Sequence, residues 1–244
     1  RTALQTLDAI PPFHFPIAFP QVYLRDRPGL DVVVGNPPWE EATLEEDSFW
    51  LRYVPGLQGL SQRKREDIQK RLRKERPDLV EKYQAELAEV ELVRKVLTTG
   101  PYPGMGTGDP DLYKAFTWRF WNLVAEEEGR IGVVLPRSAF AAKGSSEFRK
   151  EVLRKGSVVD LAFLLNSGGW VFDDAEPRYT IALVALERTE PDLHEATLPI
   201  RGAYRSLERF EIGTQEDPVR FPVEDVFKWT NTAALPLLPT EDSA

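Results

Sequence analysis

The chain has 244 residues, 42% of them hydrophobic, with 31 Lys and Arg against 39 Asp and Glu and a net charge of −8. With no Cys, a disulfide framework and thiolate catalysis are excluded, and two His leave little for zinc, so we expect no bound metal. Domains run about 100–200 residues, so this chain is long enough for at least one domain. A chain of this length can bury a sizeable core. No apolar run approaches the roughly 18 residues of a membrane span and no signal peptide opens the chain, so we expect a cytoplasmic protein without a membrane partner.

The first clear strand prediction is 30–34 (LDVVV), an apolar, β-branched run that stops at Gly35. Two prolines follow, and because proline cannot donate to a β ladder the strand must deliver residues 36–39 to a loop at its carboxyl end. From 61 to 98, apolar residues spaced three and four apart predict helices, with Pro77 separating two of them. A Gly/Pro loop at 99–111 and an aromatic-rich helix at 112–127 follow.

Three further strands are predicted at 130–135, 158–165 and 179–186, with a helix at 147–155 between the first two. Strands that alternate with helices indicate an α/β domain with a largely parallel sheet. The tail from 189 is less regular, with one more strand predicted at 198–204. His14 is interpreted as a packed structural residue rather than a base.

The residues most suited to chemistry are the four after the first strand: Asn36, Pro37, Pro38 and Trp39. In open α/β sheets, ligands bind outside the carboxyl ends of the strands. The Asn36 amide and the Pro37 backbone carbonyl are two acceptors held in direction by the prolines, and Trp39 offers a flat face for stacking. This set suits a planar group bearing an exocyclic NH2, whose lone pair stays free for attack. A strand-ending turn with a core Trp is the structural alternative.

A basic stretch lies between Arg63 and Arg76, where eight basic and three acidic residues give a local charge of +5 in an acidic chain. Such a segment can meet phosphate, and the alternative interpretation is a solvated helix face. Seven of its residues are candidates for phosphate contact: Arg63, Lys64, Arg65, Lys70, Arg71, Arg73 and Lys74.

Segment 31–39 (DVVVGNPPW) resembles the catalytic motif of amino-group DNA methyltransferases, especially the adenine-N6 type with gamma-type motif order. This type occurs in large type IIG restriction–modification and phage-defence (BREX-like) methylases. Other blocks that resemble this family lie in its order along nearly the whole chain: 14–23 (HFPIAFPQVY), 108–116 (GDPDLYKAF), 129–138 (GRIGVVLPRS), 171–172 (VF), 178–183 (RYTIAL), and Asn231-Thr232 with Pro236.

The resemblance implies an α/β, Rossmann-like class I methyltransferase fold that uses S-adenosylmethionine as methyl donor. It implies that Asn36 and Pro37 accept hydrogen bonds from the adenine N6 amino group, and that Trp39 stacks on a base flipped out of the duplex. Phe172 would touch the opposite face or edge of that base. Asn36, Asp111 and Tyr113 are candidates to contact the donor. Double-stranded DNA is the implied partner, with the seven basic residues on its phosphates.

The chain departs from the family at two places. Trp39 stands where most relatives have Tyr or Phe, and the Gly-rich donor loop that precedes the motif in this family order is missing. In that order the loop comes before the Asn-Pro-Pro motif, so we expect the main donor loop upstream of Arg1. The segment 104–108 (GMGTG) follows no strand and is interpreted as a flexible loop.

These departures lead to a prediction about domains. We expect 1–190 to be a catalytic domain without its donor-binding part, which the remainder of a parent enzyme or a partner subunit supplies. A helical insertion at about 41–99 and a downstream linker or specificity region at 191–244 complete this division.

Two other functions remain open at the level of sequence. A protein glutamine methyltransferase also presents an Asn-Pro-Pro-aromatic loop to a planar NH2, although it needs neither a basic insertion nor the Phe172 block. A non-catalytic methylase-like module could bind DNA or a partner subunit, although the complete 36–39 loop speaks against degeneration. The parent enzyme could also carry an endonuclease, but no nuclease carboxylate cluster is recognisable in this chain.

Overall fold

The computed structural model describes residues 13–107, 110–173 and 175–237. Predictions that involve residues 1–12, Gly108, Asp109 and 238–244 lie outside these described residues. Arg1 is among them, so the donor loop expected upstream of Arg1 stays a prediction. The chain divides into two compact units. We call Pro38–Ala115 the helical unit, and the described residues up to Pro37 and from Phe116 onward the sheet unit.

The helices agree with most of the sequence predictions. They are α1 Phe15–Ala18, α2 Pro20–Tyr23, α3 Glu46–Leu51, α4 Gln62–Glu75, α5 Pro77–Thr99, α6 Leu112–Leu123, α7 Ser138–Ala141, α8 Ser146–Lys155, α9 Leu207–Gly213 and α10 Val223–Trp229. Pro77 separates α4 from α5, as predicted, because proline is favourable in the first turn of a helix but not in its interior. The helix predicted at 112–127 ends at Leu123, before a turn in which Glu128 has a positive φ of 59°.

Six strands form one sheet within the described residues. They are β1 Val32–Gly35, β2 Gly129–Pro136, β3 Ser157–Leu165, β4 Thr180–Arg188, β5 Thr197–Tyr204 and β6 Val219–Pro222. The strand predicted at 30–34 is displaced toward its carboxyl end, and Leu30 instead forms an isolated bridge with Val124. The other strand predictions are confirmed to within two residues.

The sheet is mixed, with strand order β1-β2-β4-β3-β5-β6. β1 pairs with β2 in parallel and β3 with β5 in parallel, whereas β4 lies antiparallel between β2 and β3 and β6 lies antiparallel to β5. Four strands, β1, β2, β3 and β5, therefore run in one direction, and the expectation of a largely parallel sheet overlooked the two reversed ones. The link from β3 to β4 is a loop without a crossover helix in its described part, so the chain reverses and pairs antiparallel.

The two faces of this sheet are covered to different extents. On one face, Phe148 of α8 packs edge-on against Trp118 and Trp121 of α6, with ring centroids 5.3 and 6.4 Å apart. On the other, Val34, Val134 and Leu183 line a shallow apolar concavity. β1 is an edge strand, and its side chains Val32 and Val34 are 58% and 79% exposed.

The tail beyond residue 190 is more regular than predicted. β5 and β6 extend the same sheet beyond residue 190, and the expected division of the chain there stays a prediction. The buried Arg149 side chain holds the last described segment through main-chain carbonyls, with Nε donating to Ala233 and Nη2 to Thr232, both at 2.9 Å. Its Nη1 donates to Ala139 and Ala142, in and just after α7.

The helical unit has its own apolar cores. Phe49, Trp50, Leu57 and Leu79 form one cluster, in which the Phe49 and Trp50 rings meet edge-on at 5.2 Å. A second cluster contains Ala42, Leu97, Met105 and Ala115.

The described residues contain neither a membrane-spanning helix nor a metal-binding cluster. Among the described residues, none of the helices combines the length and the apolar character needed to cross a membrane. The same residues hold no cluster of three or more His, Asp or Glu side chains suited to a metal ion.

His14 is exposed, so its interpretation as a packed residue was wrong.

Two positions on β3 provide a test of this packing. Leu161 is fully buried, whereas Val159, two residues earlier, is 49% exposed because the strand has an irregular register between Val158 and Asp160. We expect Leu161→Ala to lower the free energy of unfolding by about 2–5 kcal/mol, since it leaves a cavity. Val159→Ala should cost less than about 1 kcal/mol. Urea unfolding measures both, and equal losses would contradict the described orientation of β3.

Candidate functional site

The carboxyl edge of the sheet brings several chain segments together. Asn36 follows β1 directly and is exposed, and Arg137 follows β2. Asn166 follows β3, which runs in the same direction as β1 and β2, so all three residues lie at one edge. Three strand spacings of about 4.8 Å separate β1 from β3, roughly 14 Å in all. This edge is where ligands bind in open α/β sheets.

The amino end of β1 is stabilised by ion pairs between two arginines and Asp31. Arg25 donates from Nη1 and Nη2 to the Asp31 carboxylate at 3.1 and 2.8 Å, and Arg27 pairs with the same carboxylate. The hydrogen bond from Arg25 holds the pKa of Asp31 below its ordinary value, and the positive charges of Arg25 and Arg27 add to this. The contribution of Asp31 to stability is therefore present above the ordinary carboxyl pKa and is lost as the pH falls. Exposure to solvent keeps it small.

The loop after β3 carries Phe172, the residue that the resemblance places against the target base. Asn166 is fully buried, and its side-chain oxygen accepts from the backbone N–H groups of Val171 and Phe172, both at 3.1 Å. Its side-chain nitrogen donates to the carbonyl of Phe172 at 3.0 Å and, at a longer 3.4 Å, to that of Ala175. The sequence marks Asn166 only as the end of a strand, and its hydrogen bonds to the main chain of the following loop depend on an irregular backbone course that the sequence did not reveal.

Two glycines allow the same loop to turn tightly. Gly168 and Gly169 have φ values of 78° and 74°, a region that residues with a side chain rarely adopt. The Trp170 indole then donates to the carbonyl of Leu165 at 2.6 Å. The loop is thereby returned to the end of β3 before it reaches Phe172, which is half-buried.

Pro38 and Trp39 belong to the helical unit. Asp111 and Tyr113, which are candidates to contact the donor, belong to the same unit. Within that unit the chain after Trp39 pairs with the segment before α6, as the Leu112 N–H donates to the carbonyl of Glu40 at 2.8 Å. The Asp111 carboxylate forms a 2.6 Å ion pair with Lys114, which is 7% exposed, and Tyr113 is buried. Asp111 therefore has a structural partner, and its contact with a donor stays a prediction.

The basic residues of α4 divide into two faces. Arg65 forms a 2.6 Å ion pair with Asp47 on α3, whose carboxylate also accepts from the buried Gln69 at 2.6 Å. Arg73 pairs with Glu46, the carboxylate that also accepts from the Trp50 indole. Two of the seven candidate phosphate contacts therefore hold α4 against α3.

The other five candidates lie on the outward face of α4, where neighbouring members are one, six, one and three residues apart: Arg63, Lys64, Lys70, Arg71 and Lys74. All five are exposed, and Arg71 forms only a 3.8 Å pair with Glu75 on the same helix. The described residues contain no ion pair for the other four. The sequence held a signal for this division, since Ile68 and Leu72 mark the inward face on which Arg65 and Gln69 also lie.

Comparisons with known proteins give structural similarity alone. No protein-family model matches the chain, and no curated protein matches it. Among solved structures, it is similar to a modification subunit of a putative type I restriction enzyme from Vibrio vulnificus YJ016, with a TM-score of 0.47 and 15% identity over 84% of this chain. It is also similar to DrdV in a DNA complex, with a TM-score of 0.38 and 17% identity over 76% of the chain.

A third similar structure is the ATP-dependent type ISP restriction-modification enzyme LlaBIII bound to DNA, with a TM-score of 0.37 and 13% identity over 78% of this chain. The chain spans only 36%, 16% and 12% of the lengths of these three proteins. The function is therefore inferred from the residues and geometry of this chain.

The inward face of α4 leads to a prediction about stability. Asp47→Ala removes the partner of Arg65 and leaves the buried Gln69 amide without its acceptor, so the helical unit should lose about 1–3 kcal/mol of unfolding free energy. Asp67→Ala removes the same charge from the outward face of α4 and should change stability by less than about 0.5 kcal/mol. Denaturant unfolding monitored by circular dichroism compares them. An equal effect of both variants would show that the Asp47 contacts do not hold α4.

Proposed function

We propose that this chain belongs to a site-specific DNA methyltransferase that transfers a methyl group from S-adenosylmethionine to the N6 amino group of adenine. The proposal places the enzyme in a prokaryotic restriction–modification or phage-defence system, and therefore in the cytoplasm. Its other partner is the remainder of a parent enzyme or a second subunit that completes the donor site.

The observation that carries this proposal is the position of the Asn36-Pro37-Pro38-Trp39 loop. Asn36 and Pro37 follow a strand of the sheet directly, at the same edge as the loop that holds Phe172. A strand-ending turn without function would require neither an exposed Asn at this point nor a loop at the same edge whose main chain is held at an aromatic residue. Segment 31–39 resembles the adenine-N6 motif, and this resemblance implies that the edge would bind the N6 amino group of adenine.

The chemistry proposed for this edge needs no strong base. The Asn36 side-chain oxygen and the Pro37 carbonyl would accept the two hydrogens of the N6 amino group and orient its lone pair toward the methyl carbon. The donor would supply the methyl carbon, with its S–C bond breaking as the N–C bond forms, and the surplus proton would pass from the amino nitrogen to solvent. Trp39 and Phe172 would hold the flipped base by stacking, so orientation and electrostatics supply most of the rate.

The described residues would provide only part of a site for S-adenosylmethionine. The donor would bring an electrophilic methyl carbon, but the Gly-rich loop that the resemblance associates with donor binding is missing from the sequence. Of the predicted donor contacts, Tyr113 is buried and Asp111 is paired with Lys114. The roles derived from this chain therefore concern the amine and the base.

The edge strand β1 supports the proposed need for a further part of the catalytic domain. A strand of a parallel sheet is normally covered on both faces, whereas Val32 and Val34 are largely exposed. One side of β1 has no strand beside it among the described residues. Further parallel strands added there would pair with the free edge of β1, and the helices that connect such strands would cover these side chains.

DNA binding is proposed for the outward face of α4. Lys and Arg that meet phosphates supply most of the sequence-independent affinity for DNA. Arg63, Lys64, Lys70, Arg71 and Lys74 are the outward candidates for this role, whereas Arg65 and Arg73 form ion pairs with Asp47 and Glu46 on α3.

The catalytic proposal is tested in cells that express the full parent gene, by modified-base sequencing of their DNA. N6-methyladenine should occur at one recurring sequence, and Asn36→Ala should abolish it, because the amino group loses an acceptor that orients it. Asn122→Ala, an exposed Asn at the carboxyl end of α6, is the matched control and should leave methylation intact. Methylation that persists in Asn36→Ala would refute the role of Asn36. No modified base in any sample would favour protein methylation or a binding module.

The phosphate proposal is tested by the salt dependence of DNA binding in the parent enzyme. Replacing Arg63, Lys64 and Lys70 with Ala should reduce the slope of log affinity against log salt by about 2.7, since each phosphate contact contributes about 0.9. Replacing Arg205, Arg209 and Arg220, which are exposed in the sheet unit, changes the net charge equally and should leave the slope in place. An unchanged slope in the first variant would make the outward face of α4 a solvated surface.

A further inference from the structure

We infer that Asn166 is a positioning residue for base capture: it holds the backbone of Phe172 so that the Phe172 ring meets the flipped base in a fixed place. The inference rests on the proposed function, because it gives Phe172 the stacking role. It is distinct from that function, because Asn166 itself touches neither base nor donor.

The hydrogen bonds of Asn166 are directed at one residue in particular. The side-chain oxygen accepts from the Phe172 N–H at 3.1 Å, and the side-chain nitrogen donates to the Phe172 carbonyl at 3.0 Å. Both polar groups of the Phe172 main chain are therefore held by the same amide. The remaining positions of that amide bind Val171 and Ala175, on either side.

No other side chain can reproduce this set of contacts. A primary amide has two N–H donors and an oxygen with two lone pairs, and all four positions of Asn166 are used. Asp could accept the two N–H groups but could not donate when ionised, and its charge would lie at a site with no solvent exposure. Gln has the same amide on a longer stem, which displaces it from the loop.

The anchor of this network is a strand inside the sheet. Asn166 follows β3, which pairs with β4 on one side and β5 on the other. The Asn166 N–H donates to the carbonyl of Tyr179, next to the start of β4, at 3.1 Å. Phe172 is therefore tied to the sheet that also ends in Asn36, and the ordering of its loop precedes DNA binding. Preorganisation of this kind lowers the entropic cost of binding the base.

The experiment uses the full parent enzyme and a duplex with 2-aminopurine at the target adenine, whose fluorescence rises when the base leaves the stack. Phe172→Ala and Asn166→Ala should both lose most of this rise. The double variant should lose no more than the stronger single one, since residues that act through each other are not additive. The affinity for DNA should stay within about twofold of wild type, because phosphate contacts dominate it.

A pH profile separates positioning from general support of the fold. In Asn166→Asp the protonated carboxyl keeps acceptor capacity and regains one donor, so base flipping should recover as the pH is lowered in this variant and not in wild type. If Asn166→Ala does not fold, Asn166→Asp takes its place in the double-mutant cycle with Phe172→Ala. Val226→Ala is the control for lost stability, since Val226 is fully buried in α10, near the amino end of β5. It should retain the fluorescence rise.

Each outcome has a distinct meaning. Normal flipping in Asn166→Ala with a loss in Phe172→Ala would overturn the inference and leave the proposed function in place. Normal flipping in Phe172→Ala would remove the stacking role itself. Additive losses, or no pH-dependent recovery in Asn166→Asp, would show that Asn166 does not act through Phe172, and the inference would be rejected.

Discussion

The backbone pairing of β4 is the constraint on which the carboxyl edge of the sheet depends. This strand runs against β2 on one side and β3 on the other along nearly its full length. Just at its start, the carbonyls of Tyr179 and Thr180 accept from Asn166 and Arg137, the first residues after β3 and β2. Two loops that are far apart in sequence are thereby tied to neighbouring peptide groups. Without a reversed strand between them, β2 and β3 would have no common partner at this edge.

Beyond the strands, the sheet unit uses buried polar side chains to hold irregular backbone. Asn166 binds four main-chain groups of its loop, and Arg149 donates to four carbonyls that join α7 and its C-terminal flank to the last described segment. Loop backbone near a core needs partners for its N–H and C=O groups, and a side chain with several donors or acceptors satisfies many of them at once. Asn166 and Arg149 therefore satisfy main-chain hydrogen-bonding groups in irregular segments, as neighbouring strands do within a sheet.

The elements of this fold were predictable where local pattern decides them. The apolar runs indicated five strands to within two residues, and Pro77 marked the break between α4 and α5. The reversal of β4 was not predictable, because apolar strands read alike in either direction and the direction is set by the connection. The Asn36 loop was visible as a motif. Asn166 was not identified because its partners are main-chain groups of an irregular loop, whose course no local pattern specifies. The partners of Arg65 and Arg73 lie on α3 and are fixed by tertiary packing, although the spacing of Ile68 and Leu72 already marked the inward face of the helix.

The division of α4 into two faces has a consequence for how such a protein changes in evolution. Phosphates are the same at every base pair, so under the proposed function an outward cation on this helix would add affinity for all DNA alike and would carry no sequence information. The outward cations also have no partner on α3, so drift at these positions leaves the packing of the helix untouched. In the proposed enzyme, overall DNA affinity would then change independently of the recognised sequence. Inward arginines have no such freedom, because each is matched to a particular carboxylate.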